Sequence, residues 1–526
     1  MPQGYLCLVL HAHLPFVRHP EYDECIEEMW LFEAITETYI PLLEIFEDLE
    51  EHGVDWNLTM SVTPTLAAML ADPLLQARYL RHLDNLIELA QKELVRTKFE
   101  PQFHELAKMY LQRFQRDREV FANKYQRNLL HAFKHYFDTG RLELITCAAT
   151  HGFLPLMPNF NAVHAQIEIG CQEFARHFGR RPQGIWLPEC GYAPGIDHYL
   201  QQSGIRYFFT DTHGVLNATP RPAYGIYAPI MCPGSGVAAF ARDTESSKQV
   251  WSSIEGYPGD YAYREFYRDV GWDLDMEYLK PHLHPLGLRG NLGIKYYRIT
   301  GKSNVKEPYN RHWAMERAAE HAGNFLFNRE QQVKWLAGNM DRPPIIVAPY
   351  DAELFGHWWY EGPEWLDLLF RKMHFDQDTV KSTTVPQYLE RHPFQQKSQP
   401  VYSTWGAGGY AAVWLDAVND WIYPHLHVAA DRMVELARAF PNPDPQRRRA
   451  LNQAARELLL AQASDWAFIM TTGTVVEYAH ERTKVHLDNF LKLYDAIKSG
   501  QIDDPWLSTL EARNNIFPVI DYRIYV

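Results

Sequence analysis

The chain has 526 residues, 46% hydrophobic and 22% charged, with a net charge of −14. That size predicts several domains' worth of mass around a sizeable core, and the balance excludes long disorder. The acidic balance excludes a basic nucleic-acid footprint and an attraction to anionic membranes, while a neutral polymer such as a glucan would not be repelled.

The first segment, Tyr5-Leu6-Cys7-Leu8-Val9-Leu10-His11, lacks the basic flank of a signal peptide and reads as a core strand. Six further runs have strand length: 56–62, 142–148, 184–189, 205–210, 237–242 and 345–351. Most are apolar on both faces, as in a buried parallel sheet, and helical stretches such as 26–50 and 163–179 lie between them. Alternation of this kind predicts an α/β barrel or a doubly wound sheet. Residues 70–140 carry long amphipathic patterns and predict an inserted helical subdomain. Residues 243–344 are rich in Gly, Tyr and Trp and then helical, which suits a substrate-binding wall. Helices dominate from about 410, with a proline-rich break at 440–445. No apolar stretch reaches the length of a membrane span. The six cysteines form no CxxC pair and read as reduced thiols of a cytosolic protein. The 15 Trp, 30 Tyr and 27 Phe provide flat faces that stack on sugar rings but equally fill a large core.

Polar residues gather at the C-terminal ends of the runs, the face on which a barrel builds its active site. His11 and His13 share one face of a strand. They suit contact with a polar substrate or a divalent metal, with His151 as a third member in either case. Glu189 follows Trp186-Leu187-Pro188, where it is either a site carboxylate or an acid favoured at a helix start. Asp351 ends 345–351 among aromatics, a setting that raises a carboxyl's proton affinity; the bland alternative is an Asp capping the loop. Glu353 would share a face with Asp351 if the strand continued. Trp405 sits in a glycine-rich turn, Trp414 follows it, and Ser464-Asp465 is either a helix cap or a pair lining a cleft. Two acids at strand ends are what glycoside chemistry requires. P-loop, GxSxG, dinucleotide-binding and HExxH motifs are absent.

With these motifs the chain resembles glycoside hydrolase family 57 and, within it, the 1,4-α-glucan branching members. The resemblance rests on HAHLP at 11–15, CAATHGFLP at 147–155, WLPECGY at 186–192, APYDAELFGHWW at 348–359, STWGAGGY at 403–410 and SDWAFIMTTG at 464–473, in order and over nearly the whole length. It implies a (β/α)7 barrel over 1–69 and 141–405, the helical insertion 70–140, and a C-terminal helical domain over 406–526. It implies Glu189 as nucleophile and Asp351 as general acid/base of a retaining mechanism, with carboxyl groups about 5–5.5 Å apart. His11, His13, His151, Trp186, His357, Trp405, Trp414 and Asp465 are expected to bind substrate, as is Arg264 or Arg268, with no metal and no cofactor. The implied partner is α-glucan such as amylose or glycogen, in cytoplasmic glycogen biosynthesis. The alternatives are an α-amylase or 4-α-glucanotransferase on the same scaffold, a glucan-binding protein without turnover, and a metal-dependent deacetylase or amidohydrolase. One departure stands out. Branching members carry a tyrosine at the tip of a loop over the active site, and the segment expected to match, Cys232-Pro233-Gly234-Ser235-Gly236, has none.

Overall fold

The computed structural model of the chain describes residues 2–252 and 255–526; residues 253 and 254, in the Gly-, Tyr- and Trp-rich stretch 243–344, lie outside the described residues. Ten strands form one sheet: β1 (Gly4–Ala12), β2 (Leu58–Val62), β3 (Leu142–Cys147), β4 (Gly184–Trp186), β5 (Tyr207–Thr210), β6 (Ile230–Met231), β7 (Ala238–Ala241), β8 (Ile345–Asp351), β9 (Val380–Ser382) and β10 (Gln396–Lys397). The order is β10-β6-β7-β5-β4-β3-β2-β1-β8, with β9 also on β1. The run from β7 through β5, β4, β3, β2 and β1 to β8 is parallel throughout. It contains all seven runs read from the sequence. The curl is completed where the Asp243 N–H donates to the Val347 carbonyl at 2.8 Å, joining the end of β7 to β8. This is a seven-stranded α/β barrel.

Alternation along the strands divides the core in two. Tyr5, Cys7, Val9, Ile145, Cys147, Trp186, Tyr207, Phe209, Phe240, Ile345 and Val347 fill the interior. Their neighbours Leu6, Leu8, Leu10, Ile346 and Ala348 pack outward against the helices. The same parity carried to the strand ends turns His11 and Asp351 inward. They are register partners on β1 and β8, and His11 also pairs with Ser61 on β2.

Local chemistry sets the helices. Phe160–Phe178 begins where the Asn159 side chain accepts from two backbone N–H groups and ends at Gly179, whose φ is 80°. Asp72 caps the insertion's first helix, Pro73–Arg96, which packs on Pro101–Glu119. Asp444 caps Pro445–Ala461 after the proline-rich break. The helix after β1 includes a π-helical turn, Ile35–Tyr39. None of the helices among the described residues is long and apolar enough to cross a membrane.

Three sequence expectations are corrected. The fourth strand stops at Trp186, because Pro188 starts a 3-10 turn, Pro188–Cys190, that carries Glu189 three residues beyond the strand. The chain also turns into a 3-10 segment, Ala352–Leu354, directly after Asp351, so Glu353 does not continue the strand face. Strands β6, β9 and β10 were not anticipated; two or three residues are too few to carry a period.

Helix packs closely on barrel at Gly170, where an added Cβ would lie 2.2 Å from the Cys147 carbonyl oxygen. Gly170→Ala is expected to destabilise the fold by about 1–3 kcal/mol. Denaturant unfolding monitored by tryptophan fluorescence checks this, and an unchanged midpoint would refute it.

Candidate active site

Glu189 sits on strained backbone. Its φ is 60° and that of Cys190 is 51°, while His151 across the cleft has 58°. Non-glycine residues rarely occupy this left-handed region, and such conformations gather at functional sites. The turn is held by the Trp405 backbone N–H, which donates to the Glu189 carbonyl at 3.0 Å. The Glu189 carboxylate then receives two side-chain donors. Trp405 Nε1–H reaches Oε2 at 3.0 Å and the Ser464 hydroxyl reaches Oε1 at 2.8 Å.

Ser464 fixes the tautomers of two histidines. Its one proton goes to Glu189, so it accepts from His151 Nδ1–H at 2.8 Å. His151 Nε2 is therefore the acceptor for His11 Nε2–H at 3.0 Å, and His11 Nδ1 accepts from the Ser61 hydroxyl at 2.6 Å. Burial, with His13 adding to it, holds both imidazoles well below the ordinary histidine range, in keeping with this neutral chain. His13 differs. Burial alone would lower its pKa, but the carboxylates of Asp465, Glu189 and Glu353 outweigh that and raise it. Its Nε2 faces both Asp465 oxygens, at 3.0 and 3.2 Å, and its ring lies flat on His151 with centroids 3.8 Å apart.

The two carboxyl groups have separate environments. For Glu189 burial, with Asp465 adding to it, raises the pKa overall, and Trp405, Ser464 and His13, which stabilise the anion, offset only part of that rise. For Asp351 burial is reinforced by Glu353 and by Glu189, and its pKa stands well above the ordinary carboxylate range. No donor among the described residues stabilises its anion, so of these two raised carboxyls Glu189 is the one whose charge is better supported and Asp351 the one that holds its proton more firmly.

His13, His151 and Asp465 each bring one ligand atom within 4.8 Å of the others, so the chemistry of a cation site is present. The geometry favours a proton. His13 Nε2 is already shared with Asp465, and the His13 and His151 rings stack face to face instead of converging through their edges.

The remaining expected residues divide sharply. Trp405 meets Trp186, His11 and Trp251 edge-on and borders the cleft. Trp186 is fully buried and stacked on His11 with centroids 5.0 Å apart, so it backs the histidine and presents no face to a substrate. Trp414 is also buried, stacked on Phe153 and against Gly406, where it props the Trp405 turn. Arg264 is buried, donates to Glu37 at 2.9 Å and lies over Tyr360, while Arg268 pairs with Asp273 and covers Tyr297. Neither arginine contacts the residues around Glu189. His357 Nδ1 is held by Glu37 at 2.7 Å, and no hydrogen bond or ion pair among the described residues joins His357 to Glu189 or Asp351. Aromatic and cationic residues near a motif serve packing as readily as binding, and sequence does not separate the two. Ser61, Trp251 and Glu37 carried no signal in the sequence, because the contacts that matter join positions far apart in it.

A parallel barrel with two carboxyl groups in unlike hydrogen-bond settings at its C-terminal face, beside a histidine cluster and an aromatic rim, defines a barrel enzyme of glycosidic bonds. The chain belongs to glycosyl hydrolase family 57, whose sequence profile matches residues 7–334. The profile of the 1,4-alpha-glucan branching enzyme C-terminal region matches residues 425–525. The alpha-amylase AmyC from Thermotoga maritima is 49% identical with a TM-score of 0.93, covering 100% of this chain and 99% of its own. The branching enzyme from Pyrococcus horikoshii is 35% identical with a TM-score of 0.90, covering 100% and 97%. A 1,4-alpha-glucan branching enzyme of Thermococcus kodakarensis is 35% identical over 98% of this chain and 78% of its own.

Trp405→Phe removes an N–H donor from the Glu189 anion and raises its proton affinity. A hydrogen bond to a charged group is worth about 1.5–3 kcal/mol, so the acid limb of the pH–rate profile should move up by about one to two units. The kcat/KM profile on a soluble maltooligosaccharide measures it, and an unmoved limb would rule out this control of Glu189.

Proposed function

We propose that this chain is a retaining 1,4-α-glucan branching enzyme. The observation that carries the reading is the unequal supply of donors at one end of the barrel: Trp405 Nε1–H and the Ser464 hydroxyl donate to Glu189, and none of the described residues donates to the Asp351 side chain. Glu189 attacks the anomeric carbon of an α-1,4-linked unit as Asp351 gives its proton to the leaving oxygen. The glycosyl-enzyme is then taken by the 6-hydroxyl of an acceptor glucan, whose proton passes to the ionised Asp351, and an α-1,6 branch forms. The His13 imidazolium, held by Asp465, helps keep Glu189 ionised between turnovers. His11, His151 and Trp405 line the donor site. The substrate is α-glucan, and the setting is cytoplasmic glycogen biosynthesis. The division is a barrel over 1–69 and 141–405, an insertion over 70–140 and a helical domain over 406–526. The likeness to branching enzymes in both the family match and the C-terminal match supports this reading.

A second reading, net hydrolysis as an α-amylase, is favoured by two observations. The alpha-amylase AmyC has a higher identity to this chain than either branching enzyme compared above. The segment 232–236 is the tight turn between β6 and β7, pinned by the Ser235 hydroxyl to Asp197 at 2.7 Å and abutting His198. Cys232 and Val237 belong to the apolar layer outside the barrel, so this turn packs on the outer face and supplies no tyrosine lid. Water that reaches the intermediate ends the cycle in hydrolysis.

Incubating amylose with the protein and counting α-1,6 linkages by NMR separates the readings. Branch points appearing with little new reducing sugar support transfer; reducing ends without branches support the amylase. Glu189→Gln should reduce both by at least about three orders of magnitude and abolish covalent trapping by a fluorinated glycosyl donor. Near-normal turnover in that variant would remove Glu189 from its role.

A further inference from the structure

The π-helical turn Ile35–Tyr39 packs beside the segment that follows Asp351 and has no part in the chemistry above. π-turns interrupt α-helices mostly at functional sites, since the extra residue re-aims neighbouring side chains. Here the turn meets the segment that follows Asp351 at three points. The Tyr39 hydroxyl donates to Glu353 Oε1 at 2.5 Å. The Glu37 carboxylate accepts from His357 Nδ1 at 2.7 Å and from Arg264 at 2.9 Å. The Glu37 backbone carbonyl lies against Gly356, where φ is 107° and an added Cβ would stand 1.7 Å from that oxygen. Glu353, His357 and Gly356 are thus tied to a single helical turn that touches neither Glu189 nor Asp351. The His13 N–H also donates to Glu353 Oε1, at 3.2 Å, from the end of β1.

We propose that Tyr39 is a positioning residue for the general acid, holding the Glu353 carboxylate beside Asp351 so that Glu353 keeps the Asp351 proton in place until the leaving oxygen takes it. This rests on Asp351 being that acid. The groups facing Glu353 are Asp351 from β8, His13 from β1 with Asp465 and Glu189 behind it, and Tyr39 from the π-turn. Burial raises the Glu353 pKa, while the Tyr39 hydroxyl and His13 stabilise its anion. Loss of the hydroxyl therefore neutralises Glu353 at a higher pH and weakens its repulsion of ionised Asp351. Asp351 then ionises at a lower pH, and the alkaline limb of activity moves down.

Tyr39→Phe keeps the buried ring and removes only the donor. Its kcat/KM is measured on a maltooligosaccharide, whose leaving oxygen needs a proton, and on an α-maltosyl fluoride, whose leaving group needs little. We expect a loss of about tenfold on the oligosaccharide, less than about twofold on the fluoride, and an alkaline limb lower by about one unit. Equal losses on both donors with an unmoved limb would mean that Tyr39 only supports the fold, and would overturn the proposal. Asp351→Asn serves as the reference and should lose about 10²–10⁴ on the oligosaccharide while sparing the fluoride. If Asp351→Asn discriminates and Tyr39→Phe does not, the proposal fails and the acid assignment stands; if Asp351→Asn does not discriminate, the assignment itself fails. Should Tyr39→Phe melt far below the parent, Glu353→Gln, which keeps the shape and removes the charge, must give the same donor pattern and limb shift, or the proposal is wrong.

Discussion

The rest of the site follows from one constraint: carboxyl groups removed from water at the open end of a parallel barrel. An ionised carboxylate there is costly unless donors and cations replace its hydration, and a carboxyl without them keeps its proton. Glu189 is given replacements from two directions, an indole from the glycine-rich turn and a hydroxyl from the C-terminal helices. Asp351 is given none, and two acidic neighbours besides. The difference between the two carboxyl groups, and with it their proposed roles as nucleophile and acid, is therefore written in the neighbours and not in the residues. The strained backbone at 151, 189 and 190 fits the same picture, since residues aimed into a cleft from a turn cannot also take the most relaxed conformation.

Much of the scaffold was legible because buried parallel strands announce themselves as apolar runs separated by helices. All seven runs are strands of the barrel, and parity alone turns His11 and Asp351 inward. What was not legible has a physical cause in each case. Trp186 and Trp414 look like sugar platforms in sequence, and each is covered by a neighbour that only the fold supplies: His11 for one and Phe153 for the other. Arg264 sits in a stretch that promises substrate contact, yet its partner is Glu37, 227 residues away. The end of β4 was misjudged by three residues because Pro188, read as stiffening a strand, opens a turn instead.

The cleft also shows how one scaffold serves two outcomes. The groups that form a glycosyl-enzyme are fixed by the barrel, whereas the fate of that intermediate depends on what covers it. The hairpin 232–236 is anchored outward by Asp197, and the aromatic rim joins Trp405 to Trp251 at the end of the helix Thr244–Trp251. Transfer and hydrolysis thus differ at the periphery, where substitution leaves the barrel core untouched.

Ser464, which completes the hydrogen bonding of Glu189, lies 275 residues downstream of it. A ribosome adding about 5–20 residues per second needs roughly 15–55 s to cover that interval. Throughout it, a barrel already holding both carboxyl groups would lack Ser464 against Glu189 and Asp465 against His13. The order of synthesis thus separates the barrel from its completion: the helical segment that carries Ser464 and Asp465 supplies the last partners of Glu189 and His13.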